Sequence, residues 1–378
     1  MELTKCKLGE LITQRREKND GSDLPICGVS KDGLIPPKQK DADTSIYNVF
    51  YRDDFIFNPA RMELNSIAIN DMYDRAICSS LYEVFYVHRT DLLLPHYLEL
   101  IIRQKWFTRY CKFLGQGSAR EYCRFGNISE IEIEFPPIEE QQKIVEYNTA
   151  IENRIALKQK INDNLANTEQ LILYQAISKN QTIPLSLNEI AEFIDGDRGK
   201  NYPTFDEFST SGFCLFLNAS NVTSSGFNFD SCMFVTEEKD KIMRNGHLLL
   251  NDIVFTSRGT LGNVALYDKN IKYKNVRINS GMLIIRPKGI NLSPYFIYAL
   301  LKSNYMKSAI EQFRSGSAQP QLPIKDLQNI TFDIPESQNV LDDLEHRFFE
   351  IEETISINKR EIGNLSELAS ILLARLSR

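Results

Sequence analysis

Phe135-Pro136-Pro137-Ile138-Glu139-Glu140-Gln141-Gln142-Lys143-Ile144 decides how this chain is read. Two prolines fix the approach, and a helix can start just beyond them because their φ is already preset. From there Ile144, Ile151, Ile155, Leu165 and Ile172 keep one 3-then-4 spacing, and neither Gly nor Pro interrupts residues 138–177. Lys158, Asn162 and Glu169 stand between them, so the seam is apolar with polar interruptions. At ~1.5 Å per residue such a helix is a rod of roughly 55 to 60 Å, too long for the core of one small domain. It needs a partner helix, or it separates two bodies.

A partner stands at the other end of the chain. Leu344, Phe348, Ile351, Ile355, Ile362, Leu365, Leu372 and Leu376 follow the same rhythm, with Asn358 and Ala369 in the remaining seam positions. Ile151, Ile155, Leu165 and Ile172 map onto Ile351, Ile355, Leu365 and Leu372 at one offset (351 − 151 = 200). The polar seam residues Lys158 and Asn358 read either as mismatches or as register-fixing contacts. The charged faces, Glu139, Glu140, Lys143 and Glu146 on one rod and Glu345, Glu350, Glu352 and Glu353 on the other, read as solvated.

The sequence between the rods repeats as well. Leu8-Gly9-Glu10-Leu11-Ile12 answers to Leu187-Asn188-Glu189-Ile190-Ala191, and Asp54-Phe55-Ile56-Phe57 to Asp252-Ile253-Val254-Phe255. Pro95-His96-Tyr97 answers to Pro294-Tyr295-Phe296, Gly117-Ser118-Ala119 to Gly316-Ser317-Ala318, and Phe135-Pro136 to Ile334-Pro335. Ordered matches at this many places mean a tandem duplication of unit plus rod, with a period far too long for a solenoid. Two copies in one chain form a pseudo-dimer, and antiparallel pairing of the rods is the economical way to bury both seams. Within the first copy, residues 47–51, 55–57 and 82–87 read as strands, 31–44 as a loop, 97–113 as one helix and 128–133 as a strand leading into the rod.

With 378 residues, 42% hydrophobic and 25% charged, the chain can hold two globular units. No apolar run reaches a membrane span and the N-terminus lacks the apolar stretch of a signal peptide, so a cytoplasmic protein is expected. Seven scattered cysteines without a Cys-x-x-Cys pair read as reduced, structural thiols. A net charge of −6 argues against indiscriminate coating of nucleic acid, though it says little about local patches.

This order of parts, with its two junctions, resembles the specificity subunit of type I restriction-modification systems over residues 1–378. The most specific match is residues 135–144, close to that family's junction of hydrophobic-Pro-hydrophobic-x-Glu-Gln-x-x-Ile. Ile334-Pro335-Glu336-Ser337-Gln338-Asn339-Val340 is an eroded counterpart. The Gly-Ser-Ala turns and Phe255-Thr256-Ser257-Arg258-Gly259-Thr260-Leu261-Gly262 also resemble elements of these domains. The resemblance implies an α+β chain with target-recognition domains at 1–138 and 183–335. Helical spacers at 139–180 and 336–378 would pair as an antiparallel coiled coil with pseudo-two-fold symmetry. It implies a non-catalytic reader of a split target in double-stranded DNA, one half-site per domain. The helices would dock two DNA adenine methyltransferase subunits, and restriction (helicase-nuclease) subunits can join. No membrane partner and no cofactor of its own are implied; S-adenosylmethionine and ATP would be bound by partner subunits.

Reading DNA requires cations for phosphates and forked or amide side chains for base edges. In the first copy Arg109, Lys112, Gln116, Ser118, Arg120 and Arg124 surround the Gly-Ser turn; in the second, Arg314, Ser315, Ser317, Gln319 and Gln321 do so. A second cluster holds Ser257, Arg258 and Thr260 with the basic run Lys269, Lys272, Lys274 and Arg277, and Arg61 is the first-copy equivalent of Arg258. The competing reading of each is a solvated loop. Enzyme readings lack parts. Asn58-Pro59-Ala60-Arg61 has neither the second proline nor the stacking aromatic of an adenine methyltransferase loop. Asp230 with Glu237-Glu238-Lys239 only approaches a nuclease spacing, the Gly-Ser turns lack a Walker lysine, and His88, His96, His247 and His346 have no metal-ligand spacing. The alternative from another class is a coiled-coil scaffolding pseudo-dimer without DNA specificity.

Overall fold

The prolines at 136 and 137 launch the helix as their fixed φ dictates. Glu140 and Gln141 donate their backbone N–H groups to the Pro137 carbonyl at 3.0 and 3.1 Å, and the helix Ile138–Lys179 continues for 42 residues. The second rod, Gln338–Arg375, has 38. The computed structural model describes residues 3–37, 43–115, 122–289, 292–313 and 322–375. By contact the chain forms two units, Met1–Ala156 with Gly363–Arg378, and Leu157–Ile362.

In the first unit Thr4–Lys7 pairs antiparallel with Glu132–Phe135. An antiparallel sheet then runs in the order Ile12–Arg15, Glu83–Val87, Phe55–Phe57, Ile67–Ile69. A second sheet sets Ile26–Ser30 parallel to Arg75–Cys78, with Gly33–Ile35 and Asn48–Tyr51 outside them.

The second unit repeats the plan. Thr182–Ser186 pairs with Thr331–Pro335, and the sheet order is Ala191–Asp195, Met282–Pro287, Ile253–Thr256, Val264–Leu266. The parallel pair is Cys214–Leu217 with Val276–Ile278. A buried aspartate opens the same strand in both copies. Asp54 is held by Arg15 at 2.6 Å and Asp252 by Arg286 at 2.7 Å, each just after a left-handed residue, Asp53 (φ 65°) or Asn251 (φ 73°). The fold class is thus α+β, duplicated in tandem.

Several sequence expectations need correction. The helix expected over 97–113 is two, Pro95–Ile102 and Lys105–Gly115, because the Arg103 N–H turns back to the Glu99 and Ile101 carbonyls and the chain restarts at Gln104. The second copy breaks at the same place, Pro294–Lys302 then Asn304–Phe313, where the Ser303 hydroxyl accepts from the Met306 N–H at 3.1 Å. Residues 125–129 form a helical turn, Phe125–Ser129, and the strand starts only at Glu132. The 31–44 segment contains the strand Gly33–Ile35.

Inside the second unit the two long helices run antiparallel. Lys158 Nζ donates to Asn358 Oδ1 at 2.9 Å and pairs with Glu361 at 2.8 Å, while Asn358 Nδ2 donates to Asn162 Oδ1 at 2.8 Å. The polar seam residues therefore satisfy one another. Leu173, Leu341, Leu344 and Phe348 join the same core as Ile297, Leu300 and Phe296 of the globular part. Glu352 is not on a solvated face: it is buried and paired with Lys302, whose Nζ also lies 2.6 Å from Glu169 Oε2.

Candidate nucleic-acid interface

In each copy the connector that follows the Asp-led strand carries the expected arginine. Residues 58–66 join Phe57 to Ile67, and residues 257–263 join Thr256 to Val264. Arg61 is exposed on the turn Pro59–Leu64, and Arg258 is exposed beside Gly259 (φ 75°) and Gly262 (φ 90°). The positive φ at those glycines lets the second connector double back, and a Cβ on Gly262 would also lie 2.8 Å from Ile310 Cδ1. The connector is pinned: Ser257 and Arg258 donate their backbone N–H groups to the Gly281 carbonyl at 3.0 and 3.2 Å.

The same connectors are each bonded to a residue that follows the Gly-Ser sequence. The Cys123 N–H donates to the Pro59 carbonyl at 3.0 Å, and the Leu322 N–H donates to the Ser257 carbonyl at 3.4 Å. Cys123 and Leu322, far from the connectors in sequence, thereby meet them at corresponding points of both copies. Gln116, Ser118, Arg120, Arg314, Ser315, Ser317, Gln319 and Gln321 themselves lie outside the described residues.

Arg109 and Lys112 are exposed on the helix Lys105–Gly115, which buries Phe107 and Cys111 on its other side. Arg124 is exposed, 5.4 Å from the Tyr122 ring and 3.4 Å from Glu83. Thr260, Lys272 and Lys274 are exposed, Lys272 over the Tyr273 ring at 5.0 Å. Two other cluster members, Arg277 and Ser257, are turned inward, and Lys269 is exposed but engaged by the long helix. Arg277 is buried in an ion pair with Asp240, and its remaining N–H groups donate to the Asn245 and Met243 carbonyls at 2.8 and 3.2 Å. No forked donor is left there for DNA. Ser257 is buried and its hydroxyl donates to the Gly281 carbonyl at 3.1 Å. Lys269 pairs with Glu353 on the long helix at 3.1 Å.

One functional residue escaped the sequence reading. Gln141, the motif glutamine of the junction, is fully buried; its amide donates to the Leu92 and Pro136 carbonyls at 2.7 and 2.8 Å and accepts from the Leu94 N–H at 3.0 Å. It fastens the start of the long helix to the globular part. The second junction has Val340 and Leu341 at this turn, which pack instead of bonding. The signal was present in the Glu-Gln pair itself.

An α+β unit repeated in tandem, each copy carrying an exposed arginine on the connector after its Asp-led strand and each followed by a long helix, is the class of fold to which this chain belongs. The chain belongs to the type I restriction-modification DNA specificity domain family, whose model matches it twice, over residues 9–167 and 184–362. The MjaIX specificity subunit of a type I restriction enzyme from Methanocaldococcus jannaschii is 22% identical over 303 residues, covering 76% of this chain and 69% of that relative. The crystal structure of a type I restriction-modification S subunit from M. genitalium has the same fold. Its TM-score is 0.63 at 18% identity, over 99% of this chain and 96% of the other. Among the described residues no helix is long and apolar enough to cross a membrane.

Proposed function

We propose that this chain is a non-catalytic specificity subunit that reads a split target in double-stranded DNA, one half-site per copy. The observation that carries the reading is the repeated bond that ties each arginine-bearing connector to a distant point of its own copy, Pro59 with Cys123 and Ser257 with Leu322. Loops held on a rigid scaffold suit recognition. The Gly-Ser sequences of the two copies differ, Gln116-Gly117-Ser118-Ala119-Arg120 against Ser315-Gly316-Ser317-Ala318-Gln319, as two different half-sites require. The paired helices set the gap and dock two adenine methyltransferase subunits, with restriction subunits able to join. S-adenosylmethionine and ATP belong to those partners, in the cytoplasm.

The test is to express the chain with its neighbouring methyltransferase in a methylation-free host and sequence the genome for modified adenine. The expected result is two short defined blocks around an unspecified gap. No new modification, in cells where the complex forms, would instead favour a scaffold without DNA specificity.

A further inference from the structure

Three loops of the second unit interlock through their backbones. Gly196 follows the strand Ala191–Asp195, and a Cβ on it would lie 2.2 Å from the Asn279 carbonyl oxygen, so only glycine fits. A Cβ on Gly246 would lie 3.3 Å from Gly196 Cα. The turn at 279–281 also carries Gly281, whose carbonyl pins the Arg258 connector. Arg198 reaches the same turn: its Nη2 donates to the Ser280 carbonyl at 3.3 Å and lies 2.9 Å from Asp195. Asp197 organises this loop by accepting from the Gly199 and Arg244 N–H groups at 2.8 and 2.9 Å, bonds that hold its carboxyl below the usual range.

Both Asp195 and Asp197 are thus engaged inside the loop, while Arg198 and Arg258 remain exposed beside the 279–281 turn and Lys200 is exposed two residues after Arg198. Among the described residues neither Lys200 nor Arg258 has an ionic partner. In a chain of net charge −6, cations gathered on pinned loops mark a surface for an anionic partner.

We propose that Arg198 and Lys200 contact DNA phosphates beside Arg258, which extends the DNA-facing surface to a loop that neither the connector nor the Gly-Ser turn includes. This rests on the reading of the connector as DNA-facing. The assignment to phosphate follows from donor arithmetic. Asp195 and the Ser280 carbonyl take up part of the Arg198 fork, which leaves charge and direction but not the free parallel pair that a guanine edge needs. Phosphate requires only charge and one or two donors, and lysine offers it a point charge.

Arg198→Gln, Arg198→Lys and Lys200→Gln are assembled with the methyltransferase subunits, and binding to labelled duplexes with and without the mapped motif is followed across a salt series. Arg198→Gln and Lys200→Gln should each weaken both duplexes by the same factor and flatten the slope of log affinity against log salt by ~0.9, leaving the modified motif unchanged. Arg198→Lys should restore the slope. Lys200 is exposed and its side chain makes no hydrogen bond or ion pair among the described residues, so its variant reports on the surface even where an Arg198 variant misfolds. Unchanged affinity and slope in both glutamine variants would overturn the proposal, as would a loss confined to motif DNA with an altered half-site. A wild-type complex without any motif preference would overturn the wider reading instead.

Discussion

The two copies fasten the same helix to the long rods with different chemistry. In the first, Arg103 ends the helix Pro95–Ile102 and reaches Glu152 of the long helix at 2.8 Å and Glu99 at 2.6 Å, with about half of the arginine and of Glu152 exposed to solvent. In the second, Lys302 ends the corresponding helix and reaches Glu352, the counterpart of Glu152 at the repeat offset (352 − 152 = 200), but only 18% of its side chain and 9% of that of Glu352 is exposed. There Glu169 of the other long helix joins it, and Glu169 is fully buried. Its first-copy counterpart is Ala369 (369 − 169 = 200). Each copy thus sets two carboxylates about one cation; in the first the second acid, Glu99, comes from the arginine's own helix and the cluster is solvent-screened, whereas in the second it is the fully buried Glu169 of the other long helix.

The difference teaches that a duplicated contact can keep its place while its energetics change sign of risk. An exposed pair contributes little because water and salt screen it. A buried cluster contributes conditionally, since removing one member leaves an uncompensated charge. The Lys302 ammonium is held charged against the effect of its own burial by Glu352 and Glu169. Burial, with Glu352 adding to it, pushes the Glu169 carboxyl from its ordinary value of 4.5 up to about 8.

The comparison can be broken most forcefully at Lys302. Lys302→Met leaves two buried acids without their cation, and the second unit should lose about 3–5 kcal/mol in a denaturant melt. Next comes the pH dependence of Glu169. Because its pKa is higher in the fold than in the unfolded chain, its contribution is fully present below pH 4.5 and is lost as pH rises through about 8. The melting temperature of the wild type, relative to Glu169→Gln, should fall progressively across that window; a constant difference would mean that Glu169 is ionised throughout. The smallest effect belongs to Arg103→Met, expected to cost less than ~1 kcal/mol and to be masked further by salt. Equal losses at Arg103 and Lys302 would erase the contrast.

Periodicity made the long helices legible, because apolar spacing over forty residues has no other stable reading. The duplication was legible for the same reason, as were the Asp-led strands. The break at Arg103 and Gln104 was not, since no Gly or Pro marks it; Ser303 as a cap in the second copy was the only local sign. Arg277 looked like the end of a basic surface run. It lies on the strand Val276–Ile278, where it turns inward and meets Asp240, a partner 37 residues away that spacing could not reveal. Glu352 was misread likewise, because Lys302 comes from outside its own helix.

In the proposed function the paired helices act as a ruler that sets the gap between two half-sites. Its most direct test is to insert one matched heptad into both rods, within residues 151–172 and 351–372, and to map adenine modification again. The account predicts a longer unspecified gap with both defined blocks unchanged. An unaltered gap with a changed block, in a complex that still assembles and modifies DNA, would contradict it.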